Sequence, residues 1–526
     1  MDARSTALFA NPKMLARRLL RLSRYVRRRL RAFERHTYSG LTMTIDRIDV
    51  AAVYHEHPFA LEILRRLRDA GHEAVLIGGV VRDGLSSAMG RAVPFPPVDV
   101  DIATSGRPEQ VRRIFDDRHI VGVGEEFGVL VITGPGKRTY EVATFRVEGE
   151  YDGRWPGRVD LVRELEGDVK RRDLTVNGLA ADVDGRVIDL VGGIDDLVAG
   201  RIRAIGDPDL RFREDYLRML RAVRFACQLD GAIEEETARA IAENAGRIGE
   251  ISAERVRVEL LRLLETPRAA VGIDLLDRLG LLEHILPEVI EGKGVPQPEK
   301  YHPEGDVFVH TVEAVRMADR FITDPIVKLA VLLHDIGKPS ALERSGGANM
   351  GGHCAIGARR CKAIGERLRL SREETARLTF LVKNHMRVAA LPDMGRGKQV
   401  RFVSWGEQPE KERLKERFPR FFELLQVLVA DCEASAHRST GWAPILRETL
   451  RIVDHIDQVC SLQRARGIID GNVLIDLGLR PSQRLGQLLA ELHDRVLAGE
   501  ITSRVQAIEE ARKMIAAERT RKNDSV

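Results

Sequence analysis

The hydrophobic period of this chain changes once, near residue 200, and that change limits the folds open to it. From about residue 46 to 190, short β-rich runs alternate with helical stretches. Ala74–Ile77, Val98–Ile102, Val129–Thr133 and Tyr140–Ala143 read as strands bounded by Gly and Pro. From about residue 208 onward Leu, Val and Ile recur at three- and four-residue spacing, as in LRFREDYLRMLRAVRFACQL. The expected fold is an α/β head with a small mixed sheet, followed by mostly α-helical domains.

A chain of 526 residues exceeds what one compact core supports. The Pro/Gly-rich segment 292–305 and the polar stretch from Asp393 to Pro409 supply breaks. The divisions expected are a basic segment over 1–45, a head over 46–190, a helical neck over 191–295, a second helical domain over 296–440, and a helical tail over 441–526. Within the basic segment, residues 14–35 crowd arginines around an apolar stripe of Leu15, Leu19, Leu22, Val26 and Leu30. That pattern fits an RNA-binding arm, a membrane-surface helix, or translated sequence upstream of a start at Met43.

Hydrophobic residues at 44% and charged residues at 31% exclude a disordered chain. The net charge of +4 is compatible with a nucleic-acid partner without requiring one. Five cysteines scattered without CxxC spacing argue against a disulfide framework or a structural zinc site, and fit a reducing cytoplasm. No run approaches the roughly 18 apolar residues of a membrane span, so no membrane partner is expected. Oligomeric state is not written in these features.

Three motifs in the head carry chemistry. In VLIGGVVRDGL (75–85), Gly78 and Gly79 let a backbone approach a phosphate, the next helix offers free N–H groups, and Arg82 has a fork for phosphate oxygens. Alone, the same residues fit an ordinary turn. In PVDVDIAT (97–104), Asp99 and Asp101 lie two apart in an expected strand and so share a face, a costly pairing unless a cation such as Mg²⁺ lies between them. Taken alone, DVD fits the solvated face of an edge strand better. Glu141, in RTYEVATFR, would complete an acidic cluster for two-metal transfer.

The order GGxVRD, then DxD, then DVKRRDLTVNGLA (168–180) resembles the class II CCA-adding enzyme and bacterial poly(A) polymerase family, over approximately residues 57–290. The resemblance implies that Gly78, Gly79 and Arg82 hold the triphosphate and that Asp99 and Asp101 bind catalytic metal. It also implies that Arg171, Arg172, Asp173, Thr175 and Asn177 read ribose and contact phosphate. Gly178 departs from the family's usual alanine, a change expected to loosen a helix without removing a contact. REDYLRMLRAVRFA (213–226) resembles the EDxxR base-reading motif through Glu214, Asp215 and Arg218. On a helix Asp215 and Arg218 would share a face, and Arg221 and Arg224 would extend it toward phosphate or RNA backbone. Tyr216 replaces the family's usual proline. VEGEYDGRWPGRV (147–159) resembles the family's flexible loop, with Asp152, Gly153, Arg154 and Pro156 at plausible positions, and its presence favours CCA or A addition over CC addition.

Further along, YHPEGDVFVH (301–310), HDIGK (334–338), Gly352-His353, Asn384-His385 and Asp431 look like the HD phosphohydrolase pattern. The expected ligands are His310, His334, Asp335, His353, His385 and Asp431. Imidazoles with carboxylates favour Mn²⁺, Ni²⁺ or Fe over Mg²⁺ alone. The expected partners are tRNA, CTP and ATP. The expected activity is CCA addition, with phosphatase or 2′,3′-cyclic phosphodiesterase activity on RNA ends. Poly(A) polymerase or A addition is the nearest rival, and an RNA-binding HD hydrolase or scaffold with an inactive head is the rival of another class.

Overall fold

A computed structural model describes residues 47–91, 99–122, 127–152, 155–405, 414–435, 441–458 and 462–523. The basic segment, Met43, Gly153, Arg154 and Cys460 lie outside them. Packing divides the chain into two units, one running to Arg268 with Leu275–Ile285 added, the other holding Ala269–Asp274 and everything from Leu286.

The head and most of the expected neck lie in the first unit, while Ala269–Asp274 and the neck from Leu286 lie in the second, and the 171–177 segment is hydrogen-bonded into the neck. Thr175 N donates to the Arg203 carbonyl at 3.0 Å, Ile205 N to that of Asp173 at 3.1 Å, and Arg221 Nε to the Asp173 carboxylate at 2.6 Å. The second helical domain and the tail likewise merge. Helix Arg396–Val403, inside the stretch expected to be a polar break, packs so closely on helix Gln483–Leu497 that a Cβ on Gly397 would fall on the Asp494 backbone.

The first unit is built on a seven-stranded mixed sheet ordered β3-β4-β5-β2-β1-β8-β9. Its strands are β1 (Ala74–Ile77), β2 (Asp101–Thr104), β3 (His119–Gly122), β4 (Val129–Thr133), β5 (Thr139–Thr144), β8 (Ala180–Ala181) and β9 (Val187–Ile188). β6 (Arg146–Asp152) and β7 (Trp155–Leu161) form a separate antiparallel ribbon, paired as far as Asp152 opposite Trp155. The segment expected to be a flexible loop is thus a paired β-ribbon over these residues, its β-branched and aromatic residues favouring strands. β1 is central and mostly buried, which is why AVLI is a continuous apolar run instead of an alternating one. Val75, Ile77, Ala103, Phe145, Leu165, Val169 and Ala180 form the core beneath the sheet.

Beyond the sheet, α1 (Gly79–Ala88) starts at Gly78, whose φ of 75° is the left-handed region glycine tolerates. α2 (Pro208–Glu214) begins at the capping carboxylate of Asp207 with Pro208 in its first turn, and α3 (Leu217–Gln228) follows after a break at Asp215. α4 is Ala253–Glu265.

The second unit, among the described residues, is helical. α5 (Val307–Ala318), α7 (His353–Arg367), α8 (Arg372–Ala389), α9 (Pro419–Ala434) and the turn that follows α6 (Pro325–Leu333) carry the His/Asp set. Every residue of α6 from Ile326 to Leu333 is buried, including Lys328, which is paired with Asp319 at 2.7 Å. A helix apolar on all sides belongs in the middle of such a bundle. No described helix is long and apolar enough to cross a membrane.

Candidate functional site

In the first unit the acids meet where the start of β2 lies beside the interior of β5. β2 and β5 form the parallel pair of the sheet, and their register sets Asp101 directly beside Glu141. Parallel neighbours are about 4.8 Å apart along the backbone, so two carboxylates on adjacent Cα atoms crowd one another. Burial, and the neighbouring charge of Asp101, push the Glu141 carboxyl up. Burial also raises Asp101; Arg172 works against it and Asp99 adds to it. Asp99 does not share a strand face with Asp101 as expected. The strand starts only at Asp101, and Asp99 lies in the irregular lead-in, where its charge still reaches its neighbour.

The base of this acidic edge is organised by the 168–177 segment. Asp168, 1% exposed in its side chain, accepts from Arg171 Nε at 2.9 Å and Nη2 at 2.7 Å, and from Arg172 Nη2 at 3.2 Å. Arg172 Nε is buried and has no hydrogen-bond partner among the described residues. Arg172 Nη1 would lie 3.3 Å from a Cβ placed on Gly78, so the Gly78 turn and this guanidinium are in contact. Buried donors are almost always paired, and an orphan here, next to a helix N-terminus, fits an anionic ligand.

Arg82 is placed differently from the expected open phosphate fork. It is buried over the Phe225 ring, and its Nε and Nη1 donate to Asp83 at 2.8 Å and Asn177 at 2.7 Å. Its Nη2 stands 3.8 Å from a Cβ placed on Gly79, so it braces the glycine turn from beneath. Asp173 accepts from Leu174 N, Asn177 Nδ2 and Arg221 Nε. Burial alone would raise its carboxyl, but Arg221 and Asn177 outweigh it and hold it far below the usual range. Thr175 Oγ1 donates to the buried Asp196 at 2.6 Å, a structural bond. Gly178 is not a helix-interior position: it ends the 3₁₀ turn Thr175–Asn177, and a Cβ there would meet Val191 Cγ2 at 2.8 Å.

The base-reading motif is paired otherwise than expected. Asp215 has φ −160°, outside both helices, because its carboxylate accepts from Leu217 N at 3.1 Å and breaks REDYLRM into α2 and α3. Asp215 is bridged by both Nη atoms of Arg255 on α4, at 3.1 and 2.7 Å. Arg218 pairs with Glu214 and donates from Nη2 to the Arg171 carbonyl at 3.2 Å. Arg255 was not visible in the sequence, since nothing in its spacing links it to Asp215. Arg224 does not extend an RNA-facing stripe: it is buried, stacked on Phe225 and paired with Glu259 at 2.6 Å. Arg221 is divided between Asp173 and Glu259. The acids, Gly78, Arg172 and Arg218 are thus linked through residues 168–177, whereas Arg82, Asp173, Asn177, Arg221 and Arg224 stand behind that surface.

All six residues expected as ligands in the second unit converge. His310 Nε2 lies 3.1 Å from Asp431 and 3.3 Å from His334 Nε2; His334 Nε2 lies 3.1 Å from Asp335. His353 Nε2 is 3.2 Å from His385 Nε2 and 3.5 Å from Asp335. The outward nitrogens are committed: Nδ1 of His334, His385 and His353 sit 2.7, 2.8 and 3.0 Å from the carbonyls of Val331, Val382 and Met350. A ring that donates from Nδ1 presents a lone pair at Nε2, and two such lone pairs face each other between His353 and His385. Burial pushes His385 down to about 4, with His334 adding to it, which keeps it in that neutral form. This donor set fits a divalent transition ion. Glu304 on His310 Nδ1 at 2.6 Å and Lys338 on Asp335 at 2.6 Å orient it; both stood in the motifs YHPEGDVFVH and HDIGK without an assigned role. Gly337 is obligatory, because a Cβ there would fall on the His353 carbonyl.

Against this geometry, residues 74–203 match the poly A polymerase head domain, and residues 232–292 the probable RNA and SrmB-binding site of polymerase A. The CCA-adding enzyme of Ligilactobacillus salivarius is 47% identical over 206 residues, 39% of this chain and 48% of that protein. That of Bacillus subtilis is 43% identical over 227 residues, 43% of this chain and 55% of that protein. The chain spans about half the length of the curated relatives it matches. Among solved structures, the Bacillus stearothermophilus CCA-adding enzyme in complex with CTP is 26% identical, with a TM-score of 0.60 over 90% of this chain and 99% of that one. The Thermotoga maritima CCA-adding enzyme complexed with tRNA shares the fold, with a TM-score of 0.53 at 18% identity, over 90% of this chain and 97% of that one. Residues 74–203 and 232–292 are thus similar to the poly A polymerase head domain and its RNA-binding region, and the relatives and solved structures that align with this chain are CCA-adding enzymes.

Proposed function

We propose that this protein adds CCA to tRNA 3′ ends from CTP and ATP without a nucleic-acid template. The observation that carries the reading is Asp101 in register with Glu141, beside the unpartnered Nε of Arg172 and the Gly78 turn. Asp99, Asp101 and Glu141 would hold Mg²⁺, since the crowded Asp101 and Glu141 carboxylates, with raised affinity for protons, have equal reason to take a cation. Bound there, the ions would activate the RNA 3′-oxygen and neutralise the departing pyrophosphate. The α1 N-terminus and Arg172 would bind the triphosphate. Arg218 is held at the Arg171 carbonyl, and Asp215 by Arg255, so each presents a fixed donor or acceptor edge to the incoming base.

The His/Asp centre of the second unit would hold a Mn²⁺, Ni²⁺ or Fe ion and hydrolyse a phosphate ester at an RNA end. A bound ion there supplies an activated water; Lys338 beside Asp335 would steady charge on the phosphate. The test uses tRNA lacking its last three nucleotides, labelled CTP and ATP, and Mg²⁺. A fixed addition of C, C and A supports the proposal. Unlimited A from ATP alone would replace it with poly(A) addition, and no incorporation would leave an RNA-binding hydrolase or scaffold.

A further inference from the structure

Outside both centres, the second unit carries a groove of about 610 Å³ along the outer face of the α7/α8 hairpin. Its aromatic wall is Phe380 with Trp405, whose ring centroids lie 5.4 Å apart. Trp405 is 54% exposed, an unusual state for the largest apolar side chain. Lys362, Arg372, Lys383 and Arg387 line the same groove, all exposed, against one acid, Glu366. Among the described residues, Lys362, Arg372 and Lys383 enter no ion pair. Arg372 to Arg387 spans fifteen residues of α8, about 22 Å at 1.5 Å per residue. His385 lies on the buried side of the same helix and belongs to the His/Asp centre, so this face is not used by that chemistry.

An aromatic plate beside a row of cations is suited to a ligand with flat π-faces and regularly spaced negative charge. Apolar peptides would leave the cations unmatched, acidic peptides would leave the plate unused, and a duplex hides its base faces. We propose that this groove binds a single-stranded segment of RNA, one base stacking on Trp405 and the adjoining phosphates lying along Lys383, Arg387 and Lys362. The proposal stands whether or not either catalytic reading holds, because none of these residues belongs to either centre.

The test uses the full chain with Trp155→Phe and Trp442→Phe, leaving Trp405 as the sole indole. A mixed-sequence single-stranded RNA decamer should quench its emission saturably, and a duplex of the same sequence should not. Lys383→Glu should shift the quenching curve to weaker binding by about tenfold and reduce the salt slope by about 0.7. Separately, Trp405→Ala should weaken crosslinking of the decamer to this unit by about 5- to 150-fold, the loss of one base stack, while Trp405→Phe should retain most of it. Melting curves confirm that each variant folds. Unchanged Trp405 emission at saturating decamer, or quenching indifferent to Lys383→Glu, would overturn the proposal. So would full displacement of the decamer by a polyglutamate peptide, which would make the groove a reader of charge alone.

Discussion

Asp168→Asn tests the architecture most sharply, because one buried carboxylate positions two arginines that the nucleotide would meet. The native side chain takes three charge-assisted bonds, two from Arg171 and one from Arg172. Asparagine keeps the shape but turns an NH₂ toward one guanidinium and removes the charge from both. Breaking a fully buried pair costs about 3–5 kcal/mol. Here the arginines keep 17% and 21% of their side-chain exposure, so solvent recovers part of that, and about 2–3 kcal/mol is expected. For a unit of this size that is roughly a 5–10 °C lower melting midpoint. Burial alone would raise the Asp168 carboxyl, but Arg171 and Arg172 outweigh it and the folded value is depressed. The stabilisation is therefore complete above the unfolded value of about 3.9 and is lost as pH falls through the folded one. The gap between wild type and variant should be full at pH 7 and close in acid. Addition of labelled CTP to truncated tRNA should show kcat/KM lower by about 10- to 100-fold, with nucleotide KM bearing much of the loss, since Arg172 would no longer be held at Gly78. A variant as stable as wild type at pH 7, with unchanged nucleotide KM, would refute the positioning argument.

Asp101→Ala should abolish nucleotide addition and leave RNA-end phosphatase activity, and Asp335→Ala should do the reverse; loss of both from one folded variant would refute two independent centres. Arg218→Ala should raise UTP and GTP misincorporation more than it weakens tRNA affinity, and Glu214→Gln should show a milder form of the same change, because Glu214 is the Arg218 partner. Gly178→Ala should cost about 1–3 kcal/mol by overpacking against Val191, and Val191→Ala should recover part of it in the double variant. Chelation should lower the melting midpoint of the second unit and Mn²⁺ should restore it, readable by calorimetry with no substrate present.

Local chemistry carried much of this protein's organisation. β1 and β4 stand where their β-rich runs placed them, β5 extends its run by one residue at each end, and the His/Asp spacing identified six residues that converge although they come from four helices and the turn after a fifth. Those readings succeeded because periodicity and side-chain type act over a few residues. They failed where a distant partner decided the outcome. The expected Asp215–Arg218 pair assumed one continuous helix, and the Asp215 carboxylate instead capped its own backbone and took Arg255, forty positions away. Arg82 and Arg224 read as open cations, and both are buried on Phe225.

By itself, the amino-acid order determined the α/β-then-helical division, the acids and glycines of the head, and the donor types of the second centre. Only the tertiary structure decided which acid neighbours which. The parallel register of β2 with β5 joins Asp101 to Glu141 across forty residues, and Asp168 fixes where the Arg171 and Arg172 guanidinium groups lie. A charge's partner is set by distance in space and by how much water is excluded, and neither quantity exists until the chain has packed.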